Sequence, residues 1–364
     1  MIRSRQAKLS EILPASPRPP AHQRPRLPAL PATMHLVACA GLLVLATAWW
    51  CIAAPALDPA VAALWAWLRL QGWYRSVYLE TVHVLLLGPL FYVAWFLPLD
   101  APRWFPYQVR QLLASAVPGR RPLDSGLGRL WPGGSARGGI TQAIAYGVPL
   151  LLLDTFTRKF YHGVDLQAYY SQPYLSVQHA RLLPMAAPTV QTMTWQILGA
   201  LAIYDAVFYW AHRALHWAKA GWALHHPHHA HATLHHGVTN QLHMSERVGL
   251  ILLANAALKL VRAHPLTRNM FTVVFVGALM HSHCGYQVPW DLERWVPGLG
   301  GAMAHWLHHT LHDCNFAPFF TWWDELCGTA WRQQHPSQHA AWLASKRDMY
   351  CQASKAQCMA RAEA

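Results

Sequence analysis

The sequence predicts an all-α, polytopic integral membrane protein with a site built from histidines. Three observations carry this. Apolar residues make up 54% of the 364 and charged residues 12%, about half of the ~25% that a soluble domain carries. The apolar residues gather in long, nearly charge-free runs. Nineteen tryptophans suit a chain with many membrane–water boundaries, and 17 of the 24 histidines lie between 212 and 312. These features exclude an ordinary cytosolic protein, a disordered chain and a coiled coil. The net charge is +13.

Residues 1–33 form a proline- and arginine-rich tail with Glu11 as its one acid. It cannot bury a core and is expected to be disordered. Residues 34–199 are expected to hold transmembrane helices and a basic loop. The first span is 35–57. A signal peptide cleaved near 53–56 is the rival reading; the long basic segment before the run, and Trp49 and Trp50 as interface anchors, favour an uncleaved helix. The second span is 77–97, with Glu80 and His83 three residues apart on one face. The bland reading is an interfacial pair, although ionisable residues inside a membrane often mark function. Residues 98–139 carry six arginines and two acids, and their glycine-rich stretch lacks the ending of a phosphate loop. Spans three and four are 140–156 and 193–211. The positive-inside rule places the tail and the basic loop in the cytoplasm, so four crossings return the chain there at His212. Two shorter apolar stretches, 248–261 and 270–279, fall below the ~20 residues of a full span. They read as a re-entrant hairpin, with Lys259, Arg262 and Arg268 about its tip. Residues 332–364 are a polar tail. The seven cysteines are scattered and odd in number, which fits reduced thiols and excludes zinc-finger and iron–sulfur sites.

The histidines are patterned. His212 and His216 stand at i, i+4. His225, His228 and His229 form HxxHH, as do His305, His308 and His309. Residues three and four apart share a helix face, while adjacent ones diverge by about 100°, so one HxxHH can feed two metals. Pro227, inside the first HxxHH, is expected in the first turn of its helix, where its missing N–H costs nothing. Neutral imidazole suits iron, zinc and copper. Eight nitrogens exceed the four of a structural zinc site and point to a dinuclear redox site. His226, His231, His235 and His236 read as passengers of a histidine-rich loop, and His312 stands between the two readings.

The block Asp205-x3-Tyr209-x2-His212-Arg213-x2-His216 resembles the opening motif of the fatty acid hydroxylase / sterol desaturase superfamily. Leu224-His225-x-Pro227-His228-His229 is the next match. LHMSE (242–246) is similar to the family's RxHPxE, keeping His243 and Glu246 but not the Arg. HCGYQVP (283–289) resembles HSNxxLP, with Gly285 in place of Asn. Asn315-Phe316-Ala317 follows the second HxxHH, with Ala where Gly is usual, and Trp323-Asp324 with Gly328-Thr329 closes the pattern. The resemblance covers about 200–331, the expected catalytic domain.

The resemblance implies a membrane helical bundle with a cytosolic, histidine-lined cap holding two iron ions. The implied ligands are His212, His216, His225, His228, His229, His243, His283, His305, His308 and His309, with His281 competing with His283. Asp205, Asn315 and Asp324 would orient ligand imidazoles from behind, and Tyr209 would line the site. The expected chemistry is O2-dependent hydroxylation or desaturation of an unactivated C–H bond in a membrane lipid, either sterol or fatty acyl. No catalytic side chain beyond the metal centre is expected. No dinucleotide fingerprint is present, so electrons are expected from an external donor: a ferredoxin, a cytochrome b5-like protein or a reductase. No nucleic-acid partner is expected. The expected location is a bacterial inner membrane, or the endoplasmic reticulum in a eukaryote, with the site facing the cytoplasm. The alternatives are an inactive homologue, a zinc hydrolase, for which HExxH is missing, or a metal transporter.

Overall fold

The computed structural model describes residues 41, 43–91, 121–122, 136–159, 161, 163–173, 175–230, 234, 236–287, 292–294, 296 and 298–341. The tail 1–33, most of the basic loop 98–139 and residues 342–364 lie outside the described residues. The chain divides into units 1–47 and 48–364. In the first, the described residues are helical, and Thr47 Oγ1 donates to the Leu43 carbonyl at 2.8 Å.

The second unit is helical. A π-helical turn, Trp49–Ala53, leads into α1, Ala54–Leu68. Then come α2, Leu79–Phe91; α3, Ala136–Phe156; and the short α4, Leu166–Tyr170. The long α5, Val190–Trp217, is followed by α6, Lys219–His229; α7, Met244–Leu260; and α8, Pro265–Ser282. The last elements are α9, Ala302–Leu311; α10, Trp322–Leu326; and α11, Trp331–Gln334. The described strands are one antiparallel pair of two residues each, Arg121–Pro122 (β1) with Tyr286–Gln287 (β2). Among the described residues, one helical stretch, Leu43–Leu68, is long and apolar enough to cross a membrane by length and composition.

Helix α5 is the axis of the fold. The Thr189 hydroxyl caps its N-terminus by accepting from Thr192 N at 3.1 Å, satisfying an otherwise unpaired N–H. Ala200, Leu201 and Tyr204 bury one face of it against Ala257 and Leu258 of α7 and Phe271 of α8. Its opposite face leaves Trp195, Leu198, Val207 and Trp210 exposed. At the hairpin turn, Gln196 accepts from His264 N and Thr267 Oγ1 and donates to Arg262 O. This satisfies the turn's backbone inside the protein.

The hairpin helices are longer than the sequence predicts. They have 17 and 18 residues, which is about 26 Å each, because the polar residues at their histidine-facing ends are helical too. The three basic residues at the turn separate. Lys259 and Arg262 are exposed, whereas Arg268 is buried and makes an ion pair with Glu80 of α2. Pro227 lies in the last turn of α6, not the first. Its ring removes one helical hydrogen bond, but α6 ends two residues later, so little helix remains to be disrupted.

Candidate metal centre

Two groups of histidines form where α5, α6, α8 and α9 converge. His212, His216, His225, His229 and His308 make one group; His228, His283, His305 and His309 make the other. Within each group the candidate ligand atoms lie within 4.8 Å of one another. Nine of the ten predicted ligands are therefore brought together. The adjacent residues of each HxxHH divide between the groups, and the imidazole stack of His229 on His309, centroids 4.3 Å apart, joins them.

His243 is the correction. It is exposed and belongs to neither group. Its ring caps α7, accepting from Ser245 N at 3.3 Å. Of the competing pair, His283 joins a group and His281 does not.

The hydrogen bonds behind the rings set their tautomers. His212 Nδ1 donates to Phe316 O at 2.7 Å, His308 Nδ1 to Cys314 O at 2.8 Å and His283 Nδ1 to Leu279 O at 2.7 Å. His225 Nδ1 donates to the Glu246 carboxylate at 2.7 Å. A neutral ring that donates through Nδ1 presents a bare lone pair at Nε2. Yet His212 Nε2 and His225 Nε2, both left bare in this way, are 2.9 Å apart. His216 Nε2 and His308 Nε2 are buried without any hydrogen-bond partner. Lone pairs facing each other repel unless a cation lies between them. Two nitrogens at about 2.1 Å from one metal and at right angles are about 3.0 Å apart. The donor set therefore fits metal ions.

Burial keeps these rings neutral. It pushes His212 down to about 3, helped by His225 beside it, and His225 down to about 4. Burial, with the neighbouring rings, also holds His228, His305, His308 and His309 well below the usual imidazole range. Burial raises Glu246 to about 7. Uncharged imidazole is the form that binds metal.

Asp205, Asn315 and Asp324, expected to orient imidazoles, and Tyr209, expected to line the site, touch no imidazole among the described hydrogen bonds. They hold the loop 313–329 in place. Asp324 accepts from Phe316 N, Ala317 N and the Thr329 hydroxyl at 2.8–2.9 Å. Asp205 accepts from Phe319 N and Phe320 N. Asn315, in the left-handed region at φ 53°, bonds Ala304 O and Trp331 N. The Tyr209 hydroxyl bonds Thr329 Oγ1 and accepts from Arg213. The loop in turn offers Cys314 O and Phe316 O to His308 and His212. Sequence reasoning missed Glu246 as the direct partner of His225; the signal was the carboxylate retained in LHMSE. The Gly285 departure also has a cause. Its φ is +72°, and a Cβ there would run into the Leu234 carbonyl oxygen, so Gly answers both demands.

A cavity of about 1210 Å³, its mouth included, opens on the groups. His212, His225, His228, His283 and His305 line one part of it. Phe208, Leu250, Ala254, Phe275 and Leu279 make apolar walls, and Glu80, Lys159, Asn255 and Arg268 line another part.

Two buried histidine groups beside an apolar cavity on a helical scaffold define a candidate metal-binding site. Residues 197–329 match the profile described as Fatty acid hydroxylase. The chain is 35% identical over 153 residues to cholesterol 25-hydroxylase from Homo sapiens, covering 41% of this chain and 56% of that protein. It is 36% identical to cholesterol 25-hydroxylase-like protein 2 from Danio rerio, covering 41% and 54%. It is 32% identical over 145 residues to methylsterol monooxygenase 2-2 from Arabidopsis thaliana, covering 39% and 54%. The chain thus spans about half the length of the curated relatives it matches. No solved structure matches it.

Proposed function

We propose that the protein is an O2-dependent membrane oxygenase that hydroxylates or desaturates a C–H bond of a lipid, a sterol or fatty acyl chain, at two irons. The observation that carries this is the pair of facing, bare imidazole nitrogens at the end of an apolar cavity. His212, His216, His225, His229 and His308 would hold one iron, and His228, His283, His305 and His309 the other. Iron so held supplies the activation of O2 that cleavage of an unreactive C–H bond requires.

The chain's own residues do the rest. Glu246 and the carbonyls of Leu279, Cys314 and Phe316 keep the proton on Nδ1 of His225, His283, His308 and His212, so each Nε2 stays a lone-pair donor. Phe208, Phe275 and Leu279 exclude water from the reacting end of the cavity. Residues 200–331 are the catalytic part in this reading.

The exposed apolar faces of several helices, such as Leu86 on α2, Leu152 on α3, Trp195 on α5 and Leu252 on α7, favour a multi-pass arrangement in lipid. The site would face the cytoplasm, where a ferredoxin, a cytochrome b5-like protein or a reductase delivers electrons. In a eukaryote this membrane would be the endoplasmic reticulum, in a bacterium the inner membrane. The sterol activities that the relatives are named for make sterols the first substrates to try. The test is metal analysis with O2 consumption and product mass spectrometry on purified protein given sterol or fatty acyl lipid and a reductant. Two irons and an oxygenated or desaturated product are expected. Zinc in place of iron, or no lipid product, overturns the reading.

A further inference from the structure

The cavity has two polar regions, and only one is made of histidines. The other is an ion cluster at the far ends of α7 and α8. Arg268 Nε and Nη2 donate to the Glu80 carboxylate at 3.0 Å, and Nη2 also to Asn255 Oδ1 at 2.7 Å. Lys159 Nζ lies 2.9 Å from Glu80 Oε2 and 2.5 Å from Asp154 Oδ1. Arg181 lies behind, 3.5 Å from Glu80 Oε1. Three cations therefore meet two carboxylates, and all of these side chains are at most 15% exposed.

The cluster has donors to spare. A guanidinium offers five N–H groups and an ammonium three. Among the described residues, Arg268 Nη1 makes no hydrogen bond, and Lys159 uses two of its three donors. Both residues line the cavity. Buried charges of this kind are costly as mere scaffold, and ionisable groups at membrane depth commonly mark a substrate path.

The distances suit a long molecule. Arg268 and His283 are about 22 Å apart along α8, and Glu246 and Asn255 about 14 Å apart along α7. Between the two polar ends the walls are apolar.

We propose that Lys159 and Arg268 seat the oxygen-bearing end of the lipid, a hydroxyl or carboxylate oxygen that accepts their spare N–H groups. The molecule then lies with its apolar end at the histidines, and oxidation falls on the end remote from its existing oxygen. The proposal rests on the lipid oxygenase reading for its orientation, but its test reads binding without turnover.

The purified full chain in nanodiscs is titrated with radiolabelled cholesterol and, separately, radiolabelled palmitate. Each is competed with its counterpart lacking the oxygen, 5-cholestene or hexadecane. In at least one pair the deoxygenated competitor should bind tenfold or more weakly; the pair that discriminates says whether the seat takes a hydroxyl or a carboxylate. The charge-balanced double variant Lys159→Met/Asp154→Asn should shrink that ratio several-fold while leaving the deoxygenated lipid's own affinity within about twofold. Equal binding in both pairs overturns the proposal. So does a variant that weakens both members of a pair alike, which marks the cluster as scaffold. If the variant does not fold, the comparison within the unmodified protein decides alone. Discrimination in a protein that holds no iron would count against the oxygenase reading and leave the seat standing.

Discussion

His228 on α6 and His308 on α9 occupy the same place in their two HxxHH units, and each crosses to the histidine group that its unit's other two members do not join. His225 and His229 go to one group and His228 to the other; His305 and His309 go to one and His308 to the other. At about 100° per residue, positions i and i+4 differ by about 40° around the helix, while i+3 turns the opposite way. Each unit thus serves both groups, and the two groups form only together.

Replacing either crossed residue should expose this coupling. His228→Ala and His308→Ala each leave one group a nitrogen short and disturb the ring packing of the other. Each variant is expected to carry at most about half the iron of the unmodified protein and to lose activity while still inserting into membranes. Plasma emission analysis of purified variants checks it, and full iron in both would remove these residues from the ligand set.

His243 and Glu246 should behave oppositely although they sit three residues apart. His243→Ala removes only a helix-capping acceptor, costing ~1 kcal/mol of stability, and iron content should stay unchanged. Glu246→Ala removes the partner of His225 Nδ1 and should weaken metal affinity about 10–100-fold, as loss of a group behind a metal-binding histidine usually does. Competition with a chromogenic chelator measures both.

Asp324→Ala should act at a distance. It leaves the buried N–H of Phe316 without an acceptor, at a cost of ~1–3 kcal/mol, and the half-buried N–H of Ala317 without its partner. It also loosens the carbonyl that fixes His212. A lower midpoint of thermal unfolding together with lower iron occupancy is expected. Lower stability with full iron would confine Asp324 to holding the loop.

Ala254 lines the cavity one residue before Asn255 of the ion cluster, so Ala254→Phe should shorten the lipid that fits and leave iron in place. Substrate-length profiling by mass spectrometry reads this. Gly277, also a small residue on the hairpin, does not serve the purpose, because a Cβ there would come within 3.1 Å of the Phe91 ring. A change at that position tests packing instead.

What could be read along the chain was what helical periodicity writes locally. The spacings of His212 with His216 and of the two HxxHH units bring imidazoles to shared helix faces, because 3.6 residues make a turn whatever the rest of the fold does. The composition pointed to membrane-type helices, and the retained motif residues located the stretch that matches the Fatty acid hydroxylase profile. The structure departs from the sequence expectation at two positions. His243 had the motif position of a ligand, and its ring instead accepts from Ser245 N and stands outside both groups. Pro227 sat in the last turn because the convergence of four helices, not local preference, set where α6 ends. Only the tertiary structure decided which nitrogen of each ring is bare, since backbone carbonyls such as Phe316 O and Cys314 O carry no mark in the sequence. The meeting of Glu80 with Arg268 across 188 positions was likewise invisible. An ion pair needs its partners within a few ångströms in space, and separation along the chain says nothing about that distance.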